Sequence, residues 1–124
     1  MSPRQVLLHK LSDPLNTYLN LTVCSSFFSK FKGLMFQKTL DPAAGLLFDE
    51  QRDSRVNASI HMFFMCFPIA VFWVNNDRFV VSKVLAKPWH PFYAPSSPAR
   101  YIIEAHPSKL ELFDVGDKII LDEV

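Results

Sequence analysis

The sequence has 124 residues, thirteen Lys and Arg against twelve Asp and Glu, a formal net charge of +1, and 49% hydrophobic and 14% aromatic residues. This is the composition of one globular domain over residues 1–124, able to bury about two thirds of its unfolded surface. Near-neutrality argues against a partner held by charge alone, such as nucleic acid or an anionic bilayer, and twelve Phe with only three Gly exclude a disordered or collagen-like chain.

The opening residues Met1 to Lys10 carry an apolar run of only three, Val6-Leu7-Leu8. That is too short for a signal-peptide core or a membrane span, so a cytoplasmic location with no membrane partner is expected. Residues 5 to 11 and 19 to 24 read as short strands, the second alternating Leu19, Leu21 and Val23 with Asn20, Thr22 and Cys24, and Asp13-Pro14 is expected to break the chain between them. Residues 25 to 33 predict a short helix: a Ser cap, Phe27 and Phe31 four apart, lysines near the carbonyl end and Gly33 as stop. Gly45 to Phe48 predicts a brief buried strand, and Asp49 to Asn57, charged and without apolar period, an exposed loop. Strands are expected at 59 to 66, 69 to 75 and 79 to 86, with Asn75-Asn76-Asp77-Arg78 turning the last two into a hairpin. That hairpin is apolar on both faces and should be covered on both sides. Pro88 to Pro98, with four prolines beside Trp89, Phe92 and Tyr93, must be a stiff loop and not a central strand. A strand at 100 to 106, a helical turn from Ser108 to Phe113 opened by the serine, and a closing strand from Asp117 to Leu121 complete the pattern. The expected fold is mainly β, a β-rich α+β domain whose single barrel-like or sandwich-like sheet carries one or two short helices.

Several fragments recur in a telling order: Phe31-Lys32-Gly33-Leu34-Met35-Phe36, Gly45-Leu46-Leu47-Phe48, Ile60-His61-Met62-Phe63-Phe64-Met65 and Phe67-Pro68-Ile69, then Pro88-Trp89, Pro98 to Glu104 and Val115-Gly116-Asp117. Over roughly residues 20 to 122 this resembles the domain of unknown function 192 family, small prokaryotic proteins. The resemblance implies a compact, mostly β domain and brings no activity with it. Lys32 stands where the family usually has Arg, Ala70 where it usually has an acidic residue, and Ala105-His106-Pro107 where it tends to a small residue and Gly. Ala70 offers neither a proton acceptor nor a metal oxygen, which weakens any catalytic role shared with relatives.

Two side-chain constellations could carry chemistry. In the first, Lys32 and Met35 at the predicted helix end, His61 and Met65 on the strand 59 to 66, and Trp89 and Tyr93 in the proline loop would line a cleft for a small molecule or a protein partner. Rings held by prolines either lid the core or offer flat apolar surface to a ligand at low ordering cost. A strand would set His61 and Met65 about 13 Å apart, too far to share one ion, so no metal and no cofactor is expected. In the second, Glu104 and His106, with Arg100 to hold an anion, form the ingredients of a weak hydrolase-like enzyme. No Gly-x-Ser-x-Gly elbow or other activated nucleophile accompanies them. The function expected first is therefore a non-catalytic binding module, with the hydrolase as the alternative. Cys24 and Cys66, in apolar surroundings and not spaced as C-x-x-C, are expected as free, buried, inert thiols.

Overall fold

The computed structural model describes residues 4–24, 42–62 and 65–123. Among them are seven strands: β1 (Gln5–Lys10), β2 (Asp13–Cys24), β3 (Ala44–Ser54), β4 (Ile69–Val74), β5 (Val80–Ala86), β6 (Ala99–Ala105) and β7 (Ile119–Glu123). They form one sheet in the order β5-β4-β6-β3-β2-β1-β7. Every pairing is antiparallel except β2 with β3. The predicted helix at 25 to 33 lies outside the described residues.

The sheet curls into a half-barrel, and its two edge strands come together at one corner. There Phe79 bridges Lys118, Ile119 donates its N–H to the Arg78 carbonyl (2.9 Å), and Val80 donates to Asp117 (2.9 Å). Alternation gives the curled sheet an inner and an outer face. Val6 and Leu8 of β1, Leu19 and Leu21 of β2, Leu47 of β3, Ala70, Phe72 and Val74 of β4, Tyr101 and Ile103 of β6 and Ile119 of β7 form one inner cluster. Phe113 plugs it, its ring edge-on to Phe72 at 5.4 Å. Side chains of the opposite parity, Phe48 of β3, Ile69, Val71 and Trp73 of β4 and Ile102 of β6, form an outer cluster under Ala58, Ile60, Met62 and Met65. Strand β4 is consequently buried at every position, as the two-faced apolar hairpin predicts. Strand β5 is shielded less evenly: Val80 and Ala86 are buried while Leu85 is exposed.

At Gly45 three strands approach one another closely. A Cβ there would stand 2.7 Å from the Glu104 carbonyl oxygen and 2.9 Å from Leu21 Cδ2. Only hydrogen lets β3 fit between β2 and β6 at this point.

Four boundaries differ from expectation. Asp13 and Pro14 do not break the chain but open β2; the turn is Leu11-Ser12, and a bulge at His9/Lys10 is closed by the Thr17 hydroxyl, which donates to the Asp13 carbonyl and accepts from the Lys10 N–H. Strand β3 continues past Phe48 through the charged stretch to Ser54, with Gln51 at φ 74° as the irregular residue. Its backbone pairs with β6 at Asp49 and again at Ser54 across a register shift, and the Asp49–Arg100 ion pair joins the same two strands, none of which apolar periodicity can reveal. The helical turn near the C-terminus is a 3-10 turn, Pro107–Lys109, capped by His106 and not by Ser108: the imidazole Nδ1 accepts the Ser108 N–H at 3.1 Å.

The fourth correction concerns the strand expected at 59 to 66, whose described residues 59–62 and 65–66 form only an isolated bridge and a bend. Ile60 and Tyr93 form an isolated bridge, and Met65 turns back to donate to the Met62 carbonyl (3.2 Å). The partner segment is the proline loop, whose Pro88, Pro91 and Pro95 lack the N–H groups a ladder requires. Alternation holds for Ile60, His61 and Met62 and then fails: Met65, expected on the face of His61, is buried, while Cys66 is exposed.

Candidate ligand-binding site

Residues 58–62 and the 87–93 loop are knitted together over the outer face of the sheet. Ile60 and Tyr93 exchange backbone hydrogen bonds (2.8 and 2.9 Å), Met62 donates to the His90 carbonyl (2.9 Å), and Trp89 donates to the Met62 carbonyl (2.7 Å). The pair is fixed to the sheet from beneath by Trp73, whose indole N–H donates to the Ala58 carbonyl at 2.7 Å in the buried interior. The Lys87 N–H donates to the Tyr93 hydroxyl (3.0 Å), and the His90 ring lies against the Tyr93 ring with centroids 4.3 Å apart. The loop is a built, rigid element.

Of the six residues expected to line a cleft, His61, Trp89 and Tyr93 are thus carried by these two joined segments, and Met65 turns back onto Met62 beside them. They do not all present side chains to solvent. His61 and Trp89 are exposed, Tyr93 is half-buried, and Met65 belongs to the outer core. Lys32 and Met35 lie outside the described residues. Trp89 is the unusual member: its φ is 64°, in the left-handed region, while its side chain is 55% exposed. A bulky residue held there stores about 1–3 kcal/mol of strain. Phe92, 58% exposed, extends the apolar surface beside it.

The alternative trio is dispersed among other duties. Glu104 is half-buried in β6, opposite Leu46 of β3 and Val71 of β4. Burial, and then the Glu104 charge, push the Cys24 thiol above its ordinary pKa. His106 is the cap of the 3-10 turn, its Nδ1 within 2.8 Å of the Ser108 hydroxyl as well. Arg100 is clamped: Nε and Nη2 reach the two oxygens of Asp49 at 2.8 and 2.9 Å, and Nη1 donates to Asn76 Oδ1 at 2.8 Å. Burial by itself would raise the Asp49 pKa, but hydrogen bonds from Arg100 and the Gln51 N–H, with the charges of Arg100 and Arg78, outweigh it and hold the carboxyl below the usual carboxylate range. Arg78 and Arg100 both lie over the Tyr101 ring, at 4.6 and 4.8 Å. Sequence reasoning singled out Arg100 but not its partners here, since the five members of this rim come from β3, β6 and the β4–β5 turn.

Among the described residues no group of three or more His, Cys, Asp or Glu gathers as a metal site, and no helix is long and apolar enough to cross a membrane. Both cysteines are free; Cys24 is half-buried, and Cys66 is exposed, not buried as expected.

Fold and site together define a small mostly-β domain: a curled sheet with an aromatic loop strapped over its outer face. The chain belongs to the DUF192 family, described as uncharacterized ACR, whose model matches residues 10–121. It is 38% identical over 99 residues to a UPF0127 protein of Thermococcus sibiricus, a match covering 78% of this chain and 62% of that protein. It is 36% identical over 103 residues to a UPF0127 protein of Pyrococcus furiosus, covering 82% and 85%. This chain therefore spans less than two thirds of the length of the Thermococcus sibiricus relative.

Two solved structures share the fold. One, from Sinorhizobium meliloti 1021, carries a provisional description as a transcription regulator; it superposes with a TM-score of 0.80 at 19% identity, over 97% of this chain and 94% of that one. The other, a protein of unknown function from Novosphingobium aromaticivorans, gives 0.79 at 21% identity, over 94% and 83%. At such identities the likeness is one of fold alone.

Proposed function

We propose that this domain is a non-catalytic binding module that holds a small ligand on the platform formed by Trp89 and its neighbours His61 and Tyr93. The observation that carries the reading is Trp89 itself. Its backbone sits at φ 64° and its indole is more than half exposed, so the strain is not repaid by full burial of the ring. Strain kept at an exposed aromatic is what a pre-positioned stacking surface requires. Met65 supports the platform from below, and Lys32 and Met35 complete the proposal from the sequence. The domain is proposed to act in the cytoplasm.

A hydrolase-like role for Glu104, His106 and Arg100 has weaker support. The Arg100 donors are taken by Asp49 and Asn76, and His106 caps a turn. Ala70, at the position where the family usually has an acidic residue, is fully buried in the inner cluster, where a carboxylate would be desolvated.

The test is a thermal-shift screen of sugars, metals and nucleotides, since a ligand that binds only the native state raises Tm. Hits should lose their shift in Trp89→Ala and weaken in His61→Ala. Hits that keep their full shift in both variants would refute the platform.

A further inference from the structure

We draw no further inference here: the strongest candidate, the apolar surface patch of exposed Leu11, Phe79 and Val115 around the corner where the two edge strands meet at Lys118, carries none because nothing in the structure shows what covers it.

Discussion

Replacing Gly45 with Ala tests the packing of the sheet at its tightest point. The new methyl would meet the Glu104 carbonyl oxygen at 2.7 Å and Leu21 Cδ2 at 2.9 Å. The leucine is a side-chain end and can rotate; the carbonyl belongs to β6, which is hydrogen-bonded to both β3 and β4 and cannot retreat alone. Overpacking of this kind costs about 1–3 kcal/mol, against which Ala recovers about 0.5–1 kcal/mol of the backbone entropy that Gly loses in a strand. The expected net destabilisation is about 1–2 kcal/mol. For a domain of this size that is a Tm drop of roughly 3–8 °C, with a matching fall in the urea midpoint at unchanged m-value. Leu21→Ala is costly by itself because Leu21 is fully buried, so a double-mutant cycle is needed, and its coupling energy should return only part of the methyl's cost, since the backbone contact remains. Gly116→Ala provides the contrast. Its φ is 98° and nothing lies within 4 Å of the added Cβ, so it should lose about 1 kcal/mol by strain with no coupling to Leu21. A Gly45→Ala variant within about 0.5 kcal/mol of the parent, or a coupling energy with Leu21→Ala equal to the whole cost of the methyl, would refute the view that the β6 backbone sets the limit.

Asp49→Asn should lower stability by about 1 kcal/mol at neutral pH by ending the bidentate contact with Arg100. Because the folded-state pKa of Asp49 is depressed, the parent's advantage is present above the unfolded value near about 3.9 and fades as pH falls through the folded one; urea titrations down that range that show a constant difference would contradict it. Trp73→Phe leaves the buried Ala58 carbonyl without its indole donor and opens space in the outer core, so a loss of about 2–4 kcal/mol is expected in chemical denaturation. In the native protein a disulfide reagent should titrate Cys66 rapidly and Cys24 slowly, since burial and Glu104 disfavour the Cys24 thiolate; Cys66→Ser should remove the fast phase, and a fast phase that persists would overturn the assignment.

What the sequence determined by itself is what depends on local pattern. The alternation at Leu19, Leu21 and Val23, the hairpin about Asn75 to Arg78 and the two-faced burial of β4 follow from side-chain period and turn chemistry, which neighbouring residues carry in full. So does the exclusion of a central strand from the proline loop, because a residue without an N–H cannot pair wherever it is placed. Only the tertiary structure decided which distant residues meet. The extension of β3 to Ser54 is made against β6, where Arg100 meets Asp49 from fifty-one residues away, and the parallel pairing of β2 with β3 has no signature in either strand. Residues 59–62 form a bridge and no strand for the same reason: their apolar pattern suits a strand, yet their neighbour is a loop that cannot supply a ladder. The left-handed Trp89, around which the candidate site is built, is equally invisible beforehand, since a backbone strained against its own preference is held by surroundings that folding alone assembles.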